Sequence, residues 1–391
     1  MGGPVRKIVP AAAAIAVAAL LTAACSSSGS SQTNAGTTPG NGSKGDAAGV
    51  AQAKAFIAPF AKGTQVTLNI PLKERPAPGK QIYWLQNNIP DELSVTSGFN
   101  AAAKLLGWHV HTLVVSPGDP SQVNSAVQQA VTAGAGFIAV DTAPIQEYQQ
   151  AMDAAKAAHI PVFGLFGTDQ PEGATNGLYQ QIGPSDFSLF GSITANYNIA
   201  ASNGTAHELL VDVPSFTVLG PMVAAEKAAY AKNCPTTCSL YVLNLSPAQA
   251  DNSSEAASIV VSYLQEHPQT KYVRFAYGGV LSTDFTDALK AANLGSSGIV
   301  VDGSNPVLSN LQEVLAGTQQ MWVGLPLALS AWYAVDAMAR YSEGMSLASS
   351  QLPTLPTQML TKSDVTQPIN PQGYAGPPGY ESVFENLWHV S

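Results

Sequence analysis

The fold class this sequence predicts is α/β, as two doubly wound parallel-sheet lobes. Two observations carry the lobes. Short runs apolar on both faces alternate with helical patterns from Gln81 onward, and the alternation starts afresh after Gly183. About 340 residues follow a polar amino-terminal stretch, enough for two ordinary domains.

The first series of predicted strands is 82–85, 110–115, 137–140 and 161–165, and such runs suit buried parallel strands. Helix starts lie between them. Asp119-Pro120 offers a cap and a first-turn proline, and Val123, Val127, Ala130 and Val131 then share one face. The second series is 209–213, 240–243, 272–276, 299–301 and 321–323, with helical patterns such as 256–265 between. A tail from Leu352 is rich in Pro and Gly as far as Tyr380. It ends in Val383-Phe384, Leu387 and Trp388, which predicts an ordered, extended return segment pinned by its apolar end. The expected boundaries are a first lobe of 66–182 plus 325–350 and a second of 183–324 plus 356–391.

Arg6 and Lys7, an apolar stretch over 8–21 and small residues up to Cys25 form the layout of a secretory signal over 1–24. Pro10 and the shortness of the stretch argue against a membrane span. Leu21-Thr22-Ala23-Ala24-Cys25 resembles the bacterial lipobox, with Leu21 one place earlier than usual; the resemblance implies lipidation of Cys25. The Ser, Gly, Thr, Asn and Ala that follow read as a tether over 25–50. The implied location is the outer face of the cytoplasmic membrane.

Two cysteines remain, Cys234 and Cys238, and in an exported chain they are expected to form a small disulfide loop. A metal site would need further ligands nearby, and a redox pair is usually one residue more closely spaced. Loss of the leader takes away two cations and no acid, which moves the formal charge from −9 to −11. Nucleic acid is therefore not an expected partner.

The constellations that catalysis or cofactors would need are missing. There is no Gly-x-Ser-x-Gly elbow and no phosphate loop. His207-Glu208-Leu209-Leu210 continues with Val211 and reads as a strand rather than a zinc helix. Gly134-Ala135-Gly136 precedes a strand and lacks a third glycine, so it is no dinucleotide fingerprint. His109 and His111 would share a strand face, as metal ligands or as strand-end residues. No cofactor and no enzyme activity are expected.

Residues 85–107, Ser116-Pro117-Gly118-Asp119-Pro120, the strand 136–141 and Ala157-Ala158-His159-Ile160-Pro161-Val162 together resemble the amino lobe of type I periplasmic binding proteins of the ribose-binding class. Glu266-His267-Pro268, the strand 273–277, Ile299-Val300-Val301-Asp302-Gly303 and Gly324-Leu325-Pro326 continue the resemblance. It implies lobes that close over a small-molecule ligand, three hinge crossings, a monomer, and delivery to an ABC permease. A module presenting ligand to a receptor kinase would use the same fold.

The resemblance also implies where the ligand sits. Asn87, Asn88, Asp91 and Glu92 follow the first strand, with acids where sugar-stacking aromatics usually stand; as an alternative they complement a helix dipole. Phe166 stands after the fourth strand, as a stacking ring or a core aromatic, with Asp169 just beyond. Phe216 and Thr217 come from the second lobe. Gly278, Gly279 and Gly324 replace polar side chains and imply a roomier pocket or a closer backbone approach. Asp302 is the one ligand residue of the resemblance that stands retained, against a reading as a turn-forming Asp-Gly. With no Arg or Lys at these places, the expected ligand is neutral and polyhydroxylated, or cationic.

Overall fold

The computed structural model describes residues 47–391 other than Pro90, Pro117, 279–281, Thr283 and 348–353. The leader, Cys25 and the tether as far as 46 lie outside the described residues. Helix α1, Ala47–Ile57, begins within the expected tether, because its small residues let it pack closely on the second lobe. No helix among the described residues is long and apolar enough to cross a membrane.

The first sheet holds β1 (Gln81–Asn87), β2 (His109–Val115), β3 (Phe137–Asp141), β4 (Val162–Leu165) and β5 (Leu178–Ile182). Their order is β2-β1-β3-β4-β5, all parallel. Helices α2 (Glu92–Leu106), α3 (Pro120–Thr132) and α4 (Gln149–Ala157) connect them. The expected cap at α3 is present, since Asp119 accepts from the amides of Ser121 and Gln122. β5 was not among the predicted strands: Gln180 and Gln181 interrupt its apolar run, yet both are buried.

The chain leaves this sheet at Gly183 and enters α5 (Asp186–Ala201). The second sheet is β6 (His207–Asp212), β7 (Ser239–Asn244), β8 (Tyr272–Phe275), β9 (Val300–Ser304), β10 (Met321–Gly324) and β11 (Gln358–Leu360). Its order is β11-β10-β9-β8-β6-β7, parallel except for β11, which runs antiparallel to β10. Helices α6 (Gly220–Asn233), α7 (Pro247–Ala250), α8 (Ser253–Glu266), α9 (Phe285–Ala291) and α10 (Leu308–Ala316) link these strands. Cys234 and Cys238 are bonded between α6 and β7.

Helix α11 (Leu327–Ser342) returns to the first sheet, where it packs on α2 and against β4 and β5. The tail then crosses to pair as β11 and crosses back. The return segment is not extended, as expected, but ends in α12 (Tyr380–Leu387). Apolar side chains at 380, 384 and 388 and at 383 and 387 have helical spacing, and they cover α11 rather than the second sheet. Trp388 stacks on Trp332 with ring centroids 5.5 Å apart and donates its Nε1 hydrogen to Asp336 at 2.8 Å. Asp336 also accepts from Arg340 at 2.6 Å, which makes a buried ion pair. The amino-terminal segment joins the same knot, because Arg340 reaches the carbonyl of Ile70 and the amide of Leu72 bonds to Leu387.

Candidate binding cleft

Both sheets reverse their strand order near the middle, between β1 and β3 in the first and between β6 and β8 in the second. Loops diverge at such points and leave a crevice at the carboxyl ends of the strands. Three residues immediately beyond those ends are non-glycine with left-handed backbone: Thr142 (φ 52), Phe166 (φ 55) and Asn305 (φ 51). A β-branched or bulky residue held this way costs on the order of 1–3 kcal/mol, a form of strain that clusters at ligand sites.

On the first-lobe side Asn87 ends β1 and is buried, its amide donating to Asp141 at 2.7 Å and to Thr142 at 3.2 Å. Glu92 opens α2 and is buried facing Asp141. Burial and the Asp141 charge push the Glu92 carboxyl well above the usual range. Burial raises Asp141 to about 7, against the lowering by hydrogen bonds from Glu92, Asn87 and Thr142. The pair therefore retains a proton at neutral pH, which spares the site two adjacent buried charges. Asn88 is exposed on the rim, its backbone N–H donating to the Val115 carbonyl.

Asp91 reaches across. Its carboxylate accepts from the Asn305 amide at 2.8 Å, so a residue at the start of α2 meets the end of β9. Burial raises the Asp91 pKa and this hydrogen bond lowers it. Opposite stand Tyr277 and Phe216, with ring centroids 5.9 Å apart and half-buried. Burial first, and then the charges of Asp251 and Asp91, push the Tyr277 phenol to about 12. Thr217, itself exposed, begins a short 3-10 turn beside Phe216. Asp212 ends β6, buried, its carboxyl raised by desolvation; Arg274 on β8 and Lys227 on α6 exert a smaller lowering.

Several predicted residues stand elsewhere. Asp302 does not end its strand, because β9 continues to Ser304, and its side chain is fully buried beneath α5 and α6. It lies beside Glu208 and Arg274, in a cluster where Arg274 pairs with Glu226 at 2.9 Å and donates to Ser304 at 2.9 Å. Burial and the Glu208 charge hold the Asp302 carboxyl well above its usual range. The residue at the strand end is Asn305, three places on. Phe166 is a core ring, packed edge-on against Phe187 at 6.1 Å. Asp169 caps a turn, accepting the Ile145 amide at 2.7 Å.

Nor do the glycines leave open space. A Cβ on Gly278 would meet the Asn305 carbonyl and Asn310 Oδ1, each at 2.6 Å. One on Gly324 would meet the Tyr374 ring at 2.7 Å. Gly279 lies outside the described residues. Closer backbone approach is therefore what the two described glycines provide. A separate concavity of about 530 Å³, lined by Lys104, His109 and His111 among others, lies at the amino ends of β1 and β2, away from the cleft. Among the described residues no group of three or more His, Cys, Asp or Glu is arranged to hold a metal.

Asp141, Asn305 and Tyr277 join the site without having been singled out from the sequence. Asn305-Pro306 was the available signal, a turn dipeptide that marks the end of a strand better than Asp302-Gly303 did. None of the strand-end loops at 87–92, 141–145, 165–170, 212–218, 276–278, 304–307 and 324–326 contains Lys or Arg, whereas Asp91, Glu92, Asp141, Asp169 and Asp212 all occur there.

Residues 78–346 match the family model described as periplasmic binding protein domain. No curated protein sequence matches the chain. Among solved structures, a solute-binding protein from Burkholderia graminis in complex with D-arabinose superposes with a TM-score of 0.62 at 16% identity, over 76% of this chain and 100% of that one. GanP, a glucose-galactose binding protein from Geobacillus stearothermophilus, gives 0.62 at 14% identity, over 74% and 99%. The XylFII–LytSN complex gives 0.61 at 16% identity, over 73% and 99%. The first two are named as binding proteins, and at these identities the likeness to all three lies in the fold. On the match of its residues 78–346, this chain belongs to the periplasmic binding protein family.

Proposed function

We propose that this chain is an exported, lipid-anchored receptor that captures a small, neutral, polyhydroxylated molecule of sugar type in its interlobe cleft and delivers it to an ABC importer. The observation that carries the reading is the meeting of Asp91 and Asn305 between the two lobes, in a site of carboxyls and amides faced by Tyr277 and Phe216. Carboxylates and amides hold hydroxyls, and aromatic faces cover the C–H side of a sugar ring. Cationic ligands suit the same acids. Anions lack a partner there, since the strand-end loops carry no Lys or Arg. D-arabinose, bound to the Burkholderia protein, belongs to the same chemical class.

The proposed contacts are Asn87, Asp91, Glu92, Asp141, Phe216, Tyr277 and Asn305, with Asn88 and Thr217 at the rim. Anchoring through Cys25 rests on the lipobox resemblance, and a monomer suits a two-lobed hinge. Presentation of ligand to a membrane receptor kinase is the second reading, favoured by a solved neighbour found in complex with another protein.

A thermal-shift panel of sugars, polyols, nucleosides, amines, sugar acids and sugar phosphates tests the proposal, because a ligand that binds only the folded state raises the melting temperature. A shift confined to neutral sugars or polyols, and lost in Asp91→Ala, is the expected result. Shifts with acids or phosphates alone would overturn the assignment of the ligand class.

A further inference from the structure

The carboxy-terminal segment between β11 and α12 lies beyond the residues matched by the family model, yet it runs along the cleft ends of the strands. Ser94, three residues beyond Asp91 on α2, reaches the Gln372 carbonyl at 3.4 Å. Gly373 presses so closely on the residue after Asn305 that a Cβ there would stand 2.6 Å from the Pro306 carbonyl. Its backbone is left-handed, with φ 82, which suits it to that approach. The tail thus passes beside both ends of the Asp91–Asn305 bridge, at Ser94 on one side and Pro306 on the other. Tyr374 then lays its ring on Gly324 at the end of β10, with Cγ and Cδ1 2.7 Å from where a Cβ would be and Leu360 behind at 3.0 Å. The ring fills the place of the side chain that the strand end lacks, and Tyr374 itself stays partly exposed.

We infer that Tyr374 is a ligand-contacting residue of the cleft, an aromatic wall supplied by the tail that sets specificity for a sugar ring. The inference rests on the proposed function and deepens it. Burial raises the phenol to about 12, so it stays protonated as a hydrogen-bond donor to a ring hydroxyl. Its face meets the C–H side of the sugar.

The test uses the intact chain and Tyr374→Ala and Tyr374→Phe variants, titrated with D-arabinose, D-allose, D-glucose, D-galactose and ribitol. The expected result is a loss of about tenfold in affinity for the binding sugar in Tyr374→Ala and a much smaller loss in Tyr374→Phe. Equal affinity in wild type and Tyr374→Ala would overturn the inference and leave the proposed function standing. If wild type binds no probe, the reading as a sugar receptor falls, and the inference falls with it.

A ligand-free arm checks the placement. Gly324→Ala is expected to lower the melting temperature in the wild-type background and much less in the Tyr374→Ala background, where the ring is gone. Equal losses in both backgrounds would show that the ring does not occupy this place and would overturn the inference.

Discussion

Replacing Asp186 with Asn is expected to stabilise the protein at alkaline pH and to leave it nearly unchanged at acid pH. Asp186 lies in the first turn of α5, just after the crossing at Gly183, and is fully buried. Burial pushes its carboxyl to about 7, against a smaller lowering by the backbone of Leu355. In the unfolded chain the same group titrates near 4. The folded state therefore binds this proton more tightly. Below about pH 4 both states are protonated and the contribution to stability is fully present. It is lost as pH rises toward 7, because the unfolded chain releases a proton that the folded chain retains. Three pKa units at 1.36 kcal/mol each make the loss about 4 kcal/mol by pH 8, an upper value because buried groups relax. Asn keeps the shape and never ionises. Urea denaturation of both proteins at pH 4.5, 6 and 8 measures the difference, and Glu92 and Asp141, raised in the same direction, cancel in the comparison. A difference between the proteins that is the same at pH 4.5 and pH 8 would refute the reasoning.

Three further outcomes are expected. Trp388→Ala removes a fully buried ring from its stack on Trp332 and leaves Asp336 one donor short, so the stability read from urea denaturation should fall by about 3–5 kcal/mol; a loss under about 1 kcal/mol would mean that α12 does not pin the tail. Asp91→Ala and Asn305→Ala should each cost stability, and the double mutant should cost less than their sum by about 1–2 kcal/mol, while full additivity would dissolve the bridge. Cys234→Ser with Cys238→Ser opens a loop of sequence separation 4 and should cost about 2 kcal/mol by chemical denaturation, whereas an unchanged midpoint would show that the bridge constrains nothing.

The lobes were legible because interior parallel strands are covered on both faces and carry apolar runs, and the edge strands β2 and β7 keep such runs although they are largely exposed. β5 escaped because Gln180 and Gln181 carry polar groups into the interior, which composition cannot distinguish from a loop. α12 escaped because the Pro and Gly before it drew attention away from the helical spacing of Tyr380, Phe384 and Trp388.

The candidate site gathers residues that the sequence singled out on its first-lobe side. Asn87, Asp91 and Glu92 follow a strand whose end is plain, and the structure brings Asn87 and Glu92 against Asp141 while Asp91 turns to Asn305. The second lobe's contribution turned on where β9 stops. A strand that carries Asp302 inward, beside the charges of Glu208 and Arg274, reads as ended, since Asp-Gly in a sequence looks like a turn. The charged neighbours Glu208, Arg274 and Glu226 come from β6, β8 and α6, remote in sequence, and only folding assembles them. The same holds for Tyr374, which lies 50 residues beyond the glycine it covers.

The most direct test of the central claim is calorimetric titration of the intact protein with D-arabinose, D-allose, D-glucose and D-galactose, alongside the matching sugar acids and phosphates, repeated with Asp91→Ala. The account predicts saturable binding of at least one neutral sugar, weakened about tenfold or more in the variant, with no binding of the anions. Binding of a sugar acid or phosphate in preference to the neutral sugars, or a sugar affinity that Asp91→Ala leaves intact, would contradict it.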